Sequence, residues 1–149
     1  MFMQLDFLYG GGHGHAALRH YFRHEVIPLL NSSYSDQVGR ALFTAAAEVG
    51  EILAWTAYDI GNHGLANRYL VSTLRLTRVA DDRMMGATIL ANMSHQANYL
   101  GDFPRAARLA RAAVEGGHGT STPRAKACSP LTKRAHWQAA RTWLGPPGP

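Results

Sequence analysis

A degenerate repeat with a period of 40 residues constrains this chain more than any other feature. The stretch Ala57-Tyr58-Asp59-Ile60-Gly61-Asn62-His63-Gly64-Leu65-Ala66 returns as Ala97-Asn98-Tyr99-Leu100-Gly101-Asp102-Phe103-Pro104-Arg105-Ala106. In each copy an apolar-periodic segment runs into a Gly-Asn or Gly-Asp turn, and a second such segment comes after it. A small alanine stands five residues after each glycine. Each copy therefore reads as a helical hairpin. One hairpin cannot bury its own apolar face, so hairpins stack, and such stacks serve as scaffolds that hold other molecules.

The helices can be traced along the chain. Ala16 to Ile27 places Ala17, Leu18, Tyr21, Phe22 and Val26 on one helical face. Pro28 lacks a backbone donor and its ring crowds the His24 carbonyl, which predicts an end or kink before Leu29-Leu30. Asn31 to Ser35 reads as a loop, with Ser35 capping the next helix. From Asp36 to Ile60 the positions Val38, Ala41, Leu42, Ala45, Val49, Ile52, Leu53, Thr56 and Ile60 step by three or four, the mark of a long helix. Gly61 ends it, and Leu65, Ala66, Tyr69, Leu70, Thr73 and Leu74 form the stripe of a returning helix.

Asp81-Asp82 caps a fourth helix with Met85, Ile89, Leu90, Met93, Ala97 and Leu100 as its buried row. Pro104 opens a fifth helix whose stripe is Ala106, Leu109, Ala110, Ala113 and Val114. The expected fold class is all-α, an antiparallel stack of helix hairpins. Gly116 to Pro123 reads as a loop, and helical periodicity fades after Cys128. The chain thus divides into a flexible N-terminal segment (1–15), a helical domain (16–128) and a Pro- and Trp-rich tail (129–149) expected to be disordered.

Bulk properties agree with a globular body. The 149 residues are 46% hydrophobic and 17% charged, enough for one domain with a modest core. No run approaches the roughly 20 apolar residues of a membrane span, and no secretory signal opens the chain, so a cytoplasmic location is expected. The single cysteine, Cys128, excludes an internal disulfide. The net charge of +5 is unevenly placed along the sequence. Residues 1–103 hold seven arginines and nine acids, whereas residues 104–149 hold six arginines, two lysines and one acid. On that count the helical body is near neutral and the positive charge belongs to the C-terminal end.

The hairpins resemble tetratricopeptide repeats at Leu53, Ala54, Ala57, Gly61, Ala66 and Leu70, and again at Met93, Ser94, Ala97, Gly101, Ala106 and Ala110. The period of 40 exceeds that family's usual length of about 34. Large aromatic residues usual in its first helix are replaced by Gly50, Ala57 and Ala97. From Gly10 to about Ala127 the chain further resembles the C-terminal effector region of actinobacterial helix-turn-helix transcriptional regulators. The resembling segments are Gly-Gly-Gly-His at 10–13, Ser-Tyr-Ser at 33–35, Gly-Arg-Ala-Leu-Phe-Thr-Ala-Ala-Ala-Glu at 39–48, Ala-Tyr-Asp at 57–59, His-Gly-Leu-Ala at 63–66, Ser-His-Gln-Ala at 94–97 and Gly-Thr-Ser-Thr-Pro-Arg at 119–124. In that family a DNA-reading domain precedes this region and further repeats come after it. Only nine residues precede Gly10, and from Ser129 the resemblance stops. The expectation is a truncated product whose tail is read out of frame.

The resemblance also implies a binding groove lined by the first helix of each hairpin. Its positions here are Glu48, Glu51, Trp55, Tyr58 and Asp59, then Thr88, Ala91, His95, Asn98 and Tyr99. Trp55, Tyr58 and Tyr99 would offer rigid contact area, and the three acids would favour basic groups on a peptide. The alternative reading makes Trp55 and Tyr99 partly core and the acids a solvated face. Residue types alone leave both readings open.

Catalytic chemistry has no visible candidate. His13, His15, His20 and His24 cluster, and the 20/24 pair has metal-bridging spacing, but no further motif completes a tetrahedral site. The glycines at 10, 11, 12 and 14 are followed by no Gly-Lys-Ser/Thr and read as a flexible leading loop. No cofactor or metal is expected. The function read from sequence is a non-catalytic interaction module that binds a protein or peptide, with DNA reached only through a missing domain. Self-association through the uncovered last hairpin is a further expectation. The competing readings are sequence-independent nucleic-acid binding through Arg105, Arg108, Arg111, Arg124, Lys126, Lys133 and Arg134, and a fragment without function.

Overall fold

The computed structural model describes residues 11–117, and the side chains from Gly14 onward. The expected tail at 129–149 and the bases at 124–134 lie outside the described residues. Five helices account for nearly all of what is described, with no strand among these residues. Helix α1 (residues 11–30) is a rod in three parts: Gly11–Tyr21, a π-helical turn Phe22–Val26 and a last turn Ile27–Leu30. Then come α2 (Asp36–Asp59), α3 (His63–Ala80), α4 (Arg83–Tyr99) and α5 (Phe103–Gly117).

The π-turn is the local answer to Pro28. The Ile27 N–H reaches back five residues to the Phe22 carbonyl. That wider turn relieves the crowding Pro28 imposes one turn upstream, so the rod continues to Leu30 instead of stopping. Its buried row steps by four through Leu18, Phe22, Val26 and Leu30. Ala17 and Tyr21, expected on that face, lie on its flank and are exposed. Gly11 to His15, inside the segment 1–15 expected to be flexible, are helical, and His15 is buried.

Two turns 40 residues apart have one geometry. Gly61 and Gly101 adopt φ of 76° and 79°, a conformation that glycine reaches without the Cβ clash of other residues. Asn62 N–H donates to the Ala57 carbonyl at 2.9 Å, and Asp102 N–H donates to the Ala97 carbonyl at 2.9 Å. Asn62 Oδ1 then accepts from the Leu65 N–H, as Asp102 Oδ1 accepts from the Arg105 N–H. The starts of α2 and α4 are capped as read from sequence. Ser35 Oγ accepts from the Val38 N–H and Asp82 Oδ1 from the Met85 N–H.

Packing sorts the helices into two layers. Arg105 Nη2 donates to Asn67 Oδ1 at 2.7 Å, which ties α5 to α3. The His15 ring lies 5.8 Å from that of Tyr69 and ties α1 to α3. Opposite them, Asn92 Nδ2 donates to Glu51 Oε1 at 2.6 Å and Thr44 Oγ1 to Asp82 Oδ2 at 3.3 Å, joining α2 to the start of α4. Bonds also cross between layers. Ser94 Oγ donates to the Ala106 carbonyl, Gln96 Nε2 to the His63 carbonyl, and His15 Nδ1 meets Thr56 Oγ1 at 2.9 Å.

The stripe expected on α2 is corrected by this arrangement. Because α1, α3 and α4 all pack on α2, it buries Gly39, Phe43, Ala46, Ala47, Gly50, Leu53, Ala54, Thr56 and Ala57. Small side chains let the neighbouring backbones approach. Val38 and Ile60, expected inside, are 55% and 45% exposed. Leu100 is likewise exposed, since it caps α4 rather than packing within it. On α5 only Ala106 is buried, and Ala110 and Val114 face outward because α5 packs along its length on α4 alone. Gly116 and Gly117, expected in a loop, are helical. No described helix is long and apolar enough to cross a membrane.

Candidate functional site

The candidate site lies where the ends of α2 and α4 meet the start of α3, beside both glycine turns. Trp55 and Tyr58 are one turn apart on α2, and the helix pairing sets them against His95 and Tyr99 on α4. The Tyr58 ring is the hub. Its centroid lies 5.4 Å from Trp55 and 5.4 Å from Tyr99, both edge-on, and 5.8 Å from His95. Trp55 lies 5.7 Å from His95. Edge-to-face rings at these separations attract one another through their quadrupoles, which stiffens the cluster. Trp55 and Tyr58 are half-buried, His95 is exposed and Tyr99 is 64% exposed.

The sequence missed His63, which completes the cluster. Its ring lies 5.0 Å from Tyr58 and 5.3 Å from Tyr99. Its Nδ1 is buried without a hydrogen-bond partner among the described residues. The signal was available in the repeat, since His63 occupies the position that Phe103 holds 40 residues later. Partial desolvation raises the Tyr58 phenol above its ordinary pKa, and Tyr99 and Asp59 push the same way. Tyr58 is therefore a neutral hydrogen-bonding group across the physiological range.

The other expected groove residues are placed differently from one another. Glu51 is half-buried and its carboxylate is engaged by Asn92, so it braces α2 against α4. Glu48, Asp59 and Asn98 are exposed. Ala91 is exposed, and Thr88 turns its hydroxyl to the Met84 carbonyl of its own helix at 3.1 Å. The structure thus joins Trp55, Tyr58, His95 and Tyr99 into one unit and leaves Thr88 and Asn98 outside it.

Beneath the rings a hollow of about 10 Å³ is lined by Ala54, Leu70, Asn92 and Gln96 among others. That volume holds about one water and no organic ligand. A larger cleft of about 250 Å³ opens at the opposite end of the stack, between Leu74, Arg78, Asp81, Arg83 and Gly116. It contains none of the groove residues expected from sequence.

The histidines of α1 separate. The His20 and His24 rings lie 4.2 Å apart, tilted, on the exposed side, while His15 is buried against Thr56. The Thr56 hydroxyl donates to the Leu53 carbonyl at 3.0 Å, so it accepts from His15, which places the ring proton on Nδ1. Among the described residues, no three His, Cys, Asp or Glu side chains gather where a metal ion could be held. Compared with protein-family models, with curated proteins and with solved structures, the chain matches none.

Proposed function

We propose that this chain is a non-catalytic, cytoplasmic interaction module of the tetratricopeptide-like kind, binding a peptide or protein segment on the α2/α4 layer. The observation that carries the reading is the five-ring cluster of Trp55, Tyr58, His63, His95 and Tyr99, assembled from three helices and left partly open to solvent. Rigid aromatic groups of this kind dominate binding energy at protein interfaces because they contribute area at little entropic cost. The end of the stack beside them is apolar, with Ile60, Leu100 and Phe103 exposed.

Charge supports a basic ligand. From Ala41 to Asp59 and from Met84 to Tyr99 neither helix carries a lysine or arginine, while Glu48 and Asp59 are exposed. A peptide with an arginine or lysine beside an aromatic or aliphatic residue would match this surface. In a regulator of the family the sequence resembles, occupancy of such a face would be relayed to a DNA-reading domain.

The test is a peptide-array screen with the full chain, followed by anisotropy on the best binders. Tyr58→Ala combined with Tyr99→Ala should weaken them by about thirtyfold, the equivalent of about 2 kcal/mol. Glu48→Lys with Asp59→Lys should abolish preference for basic peptides. Glu51 is unsuited to this test, since reversing it would also break the brace to Asn92. Affinity that survives both variants moves the site off this layer.

A further inference from the structure

The near-neutral helical body is polarised between its two layers. Together α1, α3 and α5 hold eight arginines and two glutamates, whereas α2 and α4 hold two arginines and four acids. The helices of the first layer therefore sum to +6 and those of the second to −2, and the turn acids Asp81, Asp82 and Asp102 bring the body as a whole to +1. Helix α3 carries Arg68, Arg75 and Arg78 with no Asp or Glu, and α5 carries Arg105, Arg108 and Arg111 with only Glu115 against them. The bond from Arg105 to Asn67 sets these two rows side by side. Arg105 is half-buried and the other five are exposed.

The band extends onto α1. Burial holds the Tyr69 phenol above its ordinary range, and Arg19, Arg68 and Arg23 act against that shift, so all three guanidinium groups stand near one ring on α3. A merely solvated helix face mixes both signs. Here like charges fall three residues apart, at Arg75/Arg78 and along Arg105, Arg108 and Arg111, a spacing at which they repel. Such a surface displaces the cations condensed on a polyanion, and their release into solution is favourable.

The chemistry of the face narrows the polyanion. Every permanently charged base among the described residues is arginine rather than lysine, and its planar fork matches a phosphate. Helix α3, which carries the middle row, exposes no large apolar side chain of the kind a helix lying in a lipid surface inserts between its bases, although Tyr21 and Leu29 on α1 and Phe103 and Val114 on α5 are exposed. Guanidinium groups carried on two separate helices can reach phosphates of both strands of a duplex, whose charges run along both edges of its grooves. We propose that the α1/α3/α5 face binds the phosphate backbone of a nucleic-acid duplex without regard to sequence. It lies on the layer opposite the ring cluster, and it does not depend on the basic residues after Gly117.

Anisotropy of a fluorescein-labelled DNA duplex of scrambled sequence, titrated with the full chain at several salt concentrations, tests this. Affinity should fall linearly on a log–log plot against salt. Arg68→Glu with Arg108→Glu and Arg111→Glu should weaken binding more than tenfold and reduce the slope by about 3. Arg40→Glu, on the opposite layer, should change it less than about twofold. Circular dichroism checks each fold, and Arg→Gln at the same positions replaces any variant that loses helix. The proposal fails if the duplex does not bind at low salt or if Arg40→Glu is as damaging. It fails equally if only Lys133→Glu with Arg134→Glu matters, or if phosphatidylserine vesicles bind and the duplex does not.

Discussion

The two layers of this molecule are built from the same kind of helix and have opposite characters. In the α2/α4 layer, α2 is walled in on three sides and packs through glycine and alanine, from Gly39 and Ala46 to Gly50, Ala54 and Ala57. Its free surface is acidic and ends in the ring cluster. In the other layer, α3 buries larger or hydroxylated side chains such as Tyr69, Leu70, Thr73 and Leu76, and turns arginines outward. The difference teaches that a helix's place in the stack, rather than its own hydrophobicity, decides which of its faces is free to bind.

Removing the core that both layers share should have the largest effect. Phe43 is fully buried in α2, and Phe43→Ala should cost about 3–5 kcal/mol through lost burial and the cavity left behind. Thermal melting should then show one transition at a lower temperature. Two separated transitions would mean that the layers fold independently.

The turns that carry the chain from one layer to the other offer a smaller and sharper probe. A Cβ at Gly61 or Gly101 would meet nothing within 4 Å, so the penalty for alanine is the left-handed backbone alone. Each substitution should cost about 1–2 kcal/mol by denaturant unfolding. A much lower cost at Gly101 would show that α5 frays apart from the rest.

An effect of opposite sign is expected at the seam. Thr73 is wholly buried and its hydroxyl has no hydrogen-bond partner among the described residues. Thr73→Val keeps the shape and removes the stranded group, and should raise stability by about 1 kcal/mol. A loss of stability would mean that the hydroxyl is satisfied after all, by a water for instance.

The mildest effect should be the dependence on pH through His15, which touches Thr56 in one layer and Tyr69 in the other. Burial, and then Arg19, hold its pKa below the ordinary value of 6.5. The folded state therefore takes up this proton less readily than the unfolded chain. Its stabilising contribution is complete above pH 6.5 and is lost as the pH falls toward the lowered value. The melting temperature should drop between neutral and mildly acidic pH, and His15→Gln should flatten that drop.

Much of this organisation was legible in the residues themselves. The repeat located both hairpins, Gly61 and Gly101 marked turns that proved to share one geometry, and Ser35, Asn62, Asp82 and Asp102 cap helices by bonds that span three residues. These features depend on neighbours in the chain, so local patterns encode them. Trp55, Tyr58, His95 and Tyr99 could be named together, but only through positions carried over from a resembling family.

What the tertiary structure alone decided is longer in range. It chose the small-residue faces of α2 over the stripe of Val38 and Ile60, because three helices compete for that surface. It brought His63 to Tyr58 and Tyr99 across a turn, and engaged Glu51 with a residue 41 positions away. It also sorted the charge. Counted along the chain, the helical body is near neutral, because the acids of α2 and of the turns offset the arginines of the other helices. Folding into hairpins sends each alternate helix to the same side, so charges that cancel in sequence separate in space.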